Sequence, residues 1–101
     1  MAALDRADVG LTRDYQALIA ELRRQAGGER EPAPVRALRA EQRAWIDARD
    51  RRCRDALSGR EGALWGAARA PCFAALSERR AAELRARLAS TAGTGAADQP
   101  A

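Results

Sequence analysis

One helical stretch near the middle of the chain constrains its fold most. Gln42, Trp45, Arg49 and Cys53 are spaced by three, four and four positions, so on an α-helix they fall on a single face. A core-facing stripe is ordinarily aliphatic, whereas this one combines an amide, an indole, a guanidinium and a thiol. Each polar member needs a partner when it is buried. The pattern therefore predicts a helix whose inner face makes specific polar contacts.

Three amphipathic segments account for most of the chain, while β-branched and aromatic residues are few. The first segment runs from about Leu4 to Gln25, the second from about Ala33 to Leu57, and the third from about Ala63 to Ala89. Short connections between long helices favour antiparallel neighbours, and no segment can bury its apolar stripe alone. The sequence therefore predicts an all-α fold, an up-down-up three-helix bundle that forms one domain over residues 1–90.

Glycine and proline mark the interruptions of this pattern. A glycine pair and two prolines separate the first segment from the second, and a serine–glycine break separates the second from the third. Pro71 lies inside the third segment, where its missing amide hydrogen predicts a kinked helix. The tail, residues 91–101, is small, polar and glycine-containing, and we expect it to be disordered.

The composition narrows the classes of function. All 18 basic residues are arginines, but 14 carboxylates are interspersed among them and the net charge is only +4. This pattern favours a solvated surface over a phosphate-binding patch, so we expect no nucleic-acid partner. The absence of histidine removes the commonest general base and zinc ligand. We accordingly expect no catalytic residues, no metal and no cofactor, and a protein that is not an enzyme.

Two features bear on the location of the protein. No hydrophobic run approaches the length that crosses a bilayer. The first residues carry charge and contain no apolar leader, which indicates either a cytosolic protein or the mature part of an exported one. An exported form leaves room for a lipid anchor upstream of Met1.

The two cysteines admit two interpretations from the residues alone. A disulfide between Cys53 and Cys72 would stabilise a small domain by about 3 kcal/mol in the chain-entropy model. Two free thiols in the core are the expectation for a cytosolic protein. The spacing matches no CxxC motif and favours neither interpretation.

A facing pair of cysteines would also set the register of the second and third helices. If Cys53 and Cys72 face each other across antiparallel helices, Trp45 lies level with Arg80. Arg80 is the one charge on the apolar stripe of its helix. We therefore predict that its guanidinium lies on the indole face, where the stem of one and the ring of the other are both buried.

The same geometry predicts a polar–aromatic layer across the bundle. It brings Tyr15 toward Trp45, and Asp50 can supply a carboxylate to Arg49 or Arg80. We favour the interpretation that this layer specifies helix register through satisfied polar contacts. The alternative is that it forms an exposed recognition site.

Several of these residues occur in an order found in a known family. They are Gln42, Trp45, Arg49, Asp50, Cys53, Cys72, Ser77, Arg80 and Leu84, preceded by the first-helix residues Leu11, Tyr15, Leu18 and Leu22. In this order and spacing the chain resembles the LprI-type family of small, secreted or lipid-anchored bacterial envelope domains, often described as lysozyme-inhibitor-like. The resemblance covers about residues 4 to 89 and implies an α-helical fold, which the periodicity predicts independently.

The resemblance also bears on the cysteines. Family members commonly carry a further cysteine pair near the start, which is absent here, and Ser77 stands where threonine is more usual. The resemblance implies an oxidised Cys53–Cys72 disulfide that links the second and third helices. It therefore implies a periplasmic, secreted or envelope-associated protein.

The function that the resemblance implies is inhibition of a lysozyme by protein–protein contact. Lysozymes of the common type use two carboxylates in a cleft, which a guanidinium on a rigid loop can pair with. Arg30 and Arg60, in the two interhelical connections, are the candidate loop arginines. One objection is electrostatic, because common lysozymes are basic and would repel a basic inhibitor.

Three alternatives to lysozyme inhibition stay open. The first is an envelope protein with a different structural role. The second is an adaptor that binds another protein through a patch around Trp65, a residue that can equally cover the core. The third, which we favour least, is a helical nucleic-acid binder that uses the arginine-rich face.

Overall fold

The computed structural model describes residues 3–58 and 62–97. These residues form three helices, α1 (Ala3–Gln25), α2 (Ala33–Ala56) and α3 (Ala63–Ala97). No strand occurs within the described ranges. The predicted helices and the all-α class are therefore confirmed.

The connection between α1 and α2 follows from its glycines and prolines. Gly27 and Gly28 have φ angles of 72° and 90°, which side-chain-bearing residues rarely adopt. Their amides donate to the carbonyls of Arg24 and Arg23, at 3.1 and 2.8 Å, and so close the last turn of α1. Pro32 then precedes α2 with an extended backbone, and its ring at this position removes only an amide that needs no helical partner.

Helix α3 has 35 residues and ends at Ala97, eight residues beyond the predicted end at Ala89. The residues that follow Ala89 are mostly small, and the next proline is Pro100, so no strong helix breaker stops the helix earlier. The disorder predicted for the tail stays a prediction, and its last four residues lie outside the described part. Pro71 lies inside α3, and the predicted kink also stays a prediction.

Long-range polar contacts establish the helix directions. Ser77 contacts Asp8 and Arg85 contacts Asp14, so α1 and α3 run parallel. The Cys53–Cys72 disulfide pairs the end of α2 with the early part of α3, which makes these two helices antiparallel. The up-down-up arrangement is confirmed, and α1 and α3 share the most extensive interface.

The apolar core occupies the half of the bundle near the α1–α2 connection. Its most buried members come from all three helices and are Leu18, Ile19, Val35, Leu38 and Leu84, each at most 1% exposed. Tyr15, Leu22, Trp45 and Leu88 pack around it. Burial of each large aliphatic side chain contributes about 1.5–3 kcal/mol, so this cluster is the main source of stability.

The other half of the bundle is a hairpin of α2 and α3, which the disulfide joins. The contact of Asp8 with Ser77 places Cys72 level with the start of α1, so the first turns of α3 extend past α1 and pack on α2. Cys53 is fully buried, and its sulfur lies 2.04 Å from that of Cys72. The disulfide that the resemblance implies is therefore confirmed, and it lies where the core is thinnest.

Replacing both cysteines with alanine is expected to lower the free energy of unfolding by about 3 kcal/mol, because the unfolded chain loses the constraint of a closed loop. Urea denaturation followed by circular dichroism measures this change. Reductant should shift the midpoint of the wild-type protein to that of C53A/C72A and leave the variant unchanged. Equal midpoints for the oxidised and reduced wild-type protein would contradict the prediction.

Candidate functional site

Trp45 and Arg49 form a ridge on the surface of α2. The Arg49 guanidinium carbon lies 5.3 Å from the Trp45 ring centroid and 4.5 Å from that of Phe73. The prediction that Arg80 occupies this position was wrong. Arg49 follows Trp45 by one helical turn and therefore reaches its ring without crossing to another helix.

Arg80 is instead buried among oxygen acceptors, with 6% of its surface exposed. Its Nε donates to Gln42 Oε1 at 3.0 Å, its Nη2 to Glu41 Oε2 at 2.6 Å, and its Nη1 to Glu83 Oε2 at 3.2 Å. A buried guanidinium carries five N–H donors that need acceptors, which an indole face does not supply. This requirement explains why Arg80 bonds to Gln42 and the two carboxylates.

The acceptors of Arg80 are held in turn by further contacts. Arg87 also donates to Glu41 Oε2, and Gln42 is itself buried. The pKa of the Glu41 carboxyl lies below its ordinary value, chiefly because Arg80 donates to it and also because Arg87 does. The carboxylate therefore stays ionised into the acid range.

Asp8 of α1 contacts side chains of both other helices, and the sequence pattern did not identify it. Ser77 Oγ of α3 donates to Asp8 Oδ1 at 3.5 Å, and the Arg49 guanidinium of α2 lies 4.0 Å from the same oxygen. Asp50 accepts from Arg49 Nε at 3.2 Å, one of the two predicted pairings. Ser77 is fully buried, so its hydroxyl needs this acceptor.

Asp14 is a second carboxylate that sequence reasoning missed. It is 7% exposed, and Arg85 Nη1 of α3 donates to its Oδ2 at 2.6 Å. Its position between Leu11 and Leu18 on the apolar face of α1 was the available signal, because a carboxylate on that face must find a cation.

Two grooves flank the ridge of Trp45 and Arg49. The groove between α1 and α2 has a volume of about 400 Å³, and the motif residues Tyr15 and Gln42 line it together with the ridge, as the register predicts for Tyr15. The groove between α2 and α3 has a volume of about 250 Å³, and four of its eight lining residues are arginines. The remaining motif residue, Leu84, is fully buried in the core.

The α1–α2 connection is held in shape by Glu31. Both carboxylate oxygens of Glu31 accept from Arg39, at 2.9 and 3.1 Å, and Arg23 Nη2 donates to one of them at 3.2 Å. Arg23 Nε also donates to the backbone oxygen of Arg30 at 2.6 Å. Arg30 itself is exposed, so the connection presents its side chain on a braced loop.

The pKa of Glu31 is lowered from its ordinary value, with donation from Arg39 as the largest cause and Arg23 as a further one.

The second candidate loop arginine, Arg60, lies outside the described residues. Among the residues described, no group of three potential metal ligands comes together. Nor does any of the described helices have the length and apolar character to span a membrane.

These features define a class of small helical proteins, three-helix bundles in which a disulfide and a buried arginine both link α2 to α3. Residues 1–84 match the family model described as Lysozyme inhibitor LprI, and the chain belongs to that family. Comparisons with curated proteins and with solved structures gave no match.

Replacing Arg80 with methionine is expected to lower the free energy of unfolding by about 2 kcal/mol, because the buried Gln42 amide loses its partner. The effect stays below that of a fully buried ion pair since Glu41 and Glu83 are 44% and 61% exposed and regain water. Urea denaturation is the measurement. R87Q, which removes an exposed partner of the same Glu41, should change stability by less than about 1 kcal/mol. Equal effects of the two changes would contradict this assignment.

Replacing Arg39 with glutamine is expected to raise the pKa of Glu31 toward its ordinary value of 4.5, because the largest cause of the lowering is removed. A carboxyl with a lowered folded-state pKa stabilises the fold above its ordinary pKa, and this contribution is lost as pH falls through the folded-state value. A carbon-detected NMR titration of Glu31 measures the change. R24Q removes a partner of Glu21 and serves as control. The same Glu31 midpoint in R39Q and wild type would refute the role of Arg39.

Proposed function

We propose that this protein acts outside the cytoplasm and inhibits a lysozyme by direct contact. The observation that carries the proposal is the match of residues 1–84 to the LprI lysozyme-inhibitor family. The Cys53–Cys72 disulfide supports the location, because such bonds persist in oxidising compartments such as the periplasm and the extracellular space.

The surface we propose for this contact is the α1–α2 connection. It lies at one end of the bundle and presents the exposed Arg30 on a backbone that Arg23 and Glu31 hold in place. A braced loop loses little conformational entropy on binding. A guanidinium presented in this way can donate two parallel hydrogen bonds to a carboxylate in a lysozyme cleft and block access of the sugar.

Electrostatics determines how such a contact forms. The net charge of +4 opposes approach to a basic lysozyme over long distances. Salt screens this repulsion, with a Debye length of about 8 Å at physiological ionic strength. Association is therefore expected to be slow at low salt, and the affinity must come from short-range contacts at the loop.

Replacing Arg30 with glutamine is expected to weaken inhibition at least about tenfold, because a hydrogen bond to a charged group is worth about 1.5–3 kcal/mol. The measurement is the clearing of a bacterial cell-wall suspension by lysozyme at increasing concentrations of this protein. R51Q, an equal change in charge at an exposed site on α2, should inhibit like the wild-type protein.

Two results would count against these proposals separately. Normal clearing with an excess of the wild-type protein would refute lysozyme inhibition itself. Equal inhibition by R30Q and the wild-type protein would refute only the role of Arg30.

A further inference from the structure

The groove between α2 and α3 combines apolar walls with positive charge. Trp45 stands on its α2 side, Leu76 on its α3 side, and Arg49, Arg52, Arg79 and Arg80 line it as well. Its volume is about 250 Å³, which is below that of most pockets for drug-sized ligands. A ligand of this groove is therefore small, or only a small part of it enters.

Two of the four arginines in this groove are neutralised by the protein itself. Arg80 bonds to Glu41 and Glu83, and Arg49 bonds to Asp50. Glu83 is the one carboxylate in the lining, and it is already engaged by Arg80 at 3.2 Å. The charge of these residues is therefore balanced within the fold.

Arg52 and Arg79 are different, because no carboxylate of the described chain lies within ion-pair distance of either. One lies on α2 and the other on α3, so these two residues line the groove from both sides. Two guanidinium groups that line one groove without a carboxylate partner in the described chain repel each other, and an anion that enters the groove relieves this repulsion. The charge pattern thus selects a ligand with negative charge.

We propose that this groove binds an oxyanion, a carboxylate or a phosphate, carried on a sugar ring. Arg52 and Arg79 bind the oxyanion, for which a planar guanidinium offers paired N–H donors. The indole of Trp45 and the side chain of Leu76 contact the apolar face of the ring. This site is independent of the proposed inhibition of lysozyme, because it uses neither Arg30 nor the α1–α2 connection.

NMR titration with N-acetylmuramic acid tests the proposal, and N-acetylglucosamine is the matched neutral sugar, since it lacks the carboxylate. Saturable shifts of the Trp45 indole N–H and of the Arg52 and Arg79 Nε–H signals are expected with the acid only. Trp65 is an internal reference, because its ring is covered by Arg54 at 4.1 Å and lies outside the groove lining. A parallel titration with N-acetylglucosamine 6-phosphate distinguishes phosphate from carboxylate as the preferred oxyanion.

The double variant R52Q/R79Q is expected to weaken binding at least about tenfold. R43Q/R51Q removes the same charge from exposed α2 positions outside the groove and should bind like the wild-type protein. Circular dichroism and the thermal midpoint establish that both variants fold. Absence of a saturable shift with either anionic sugar would overturn the proposal. Equal weakening by the two double variants would also overturn it, because it would show a general attraction of anions to a basic protein.

Discussion

The pairing of α2 with the first turns of α3 depends on the covalent bond between Cys53 and Cys72. Because α1 starts level with Cys72, the first turns of α3 have only α2 beside them within the described chain. Two helices alone bury little apolar surface. Aromatic rings and guanidinium groups add further contacts between α2 and α3 beside the disulfide. Phe73 packs edge-on against Trp65, with ring centroids 6.0 Å apart, and Arg49 and Arg54 cover the two rings. Such contacts contribute about 0.5–1.5 kcal/mol each, which is too little to replace the bond.

Polar contacts hold the register of the remaining bundle. Arg80 links α3 to α2 through Gln42, Asp14 links α1 to α3 through Arg85, and Asp8 lies between Ser77 and Arg49. Buried ion pairs add little net stability over apolar side chains of the same size, because desolvation offsets their attraction. An alanine-rich bundle offers many similar ways to slide one helix along another. A one-turn slip would separate Arg80 from Gln42 and Glu41, and Asp14 from Arg85, so we expect these residues to disfavour such alternatives.

The helices were predictable from the sequence because the apolar period and the glycine–proline breaks are local signals. The spacing of the two cysteines did not predict the disulfide, since it is compatible with both bonded and free cysteines. The family resemblance was needed to predict the bond. The register set by the facing cysteines placed Trp45 level with Arg80, and both residues line one groove. The register did not predict the contact of Arg80, because a long side chain can reach an acceptor several ångströms above or below its own position along the helix. The role of Glu31 was missed because its partners, Arg23 and Arg39, lie eight residues away on two helices.

The two proposed sites are far enough apart to act separately. Ala33 begins α2 next to the Arg30 loop, and Arg49 marks the groove 16 residues further on, a distance of about 24 Å at 1.5 Å per residue. This is about three Debye lengths at physiological ionic strength. An anion held by Arg52 and Arg79 therefore changes the potential at Arg30 very little, although it lowers the net charge of the whole protein. At low ionic strength the Debye length reaches about 30 Å, and the same bound anion would then reduce the repulsion that opposes approach of a basic lysozyme.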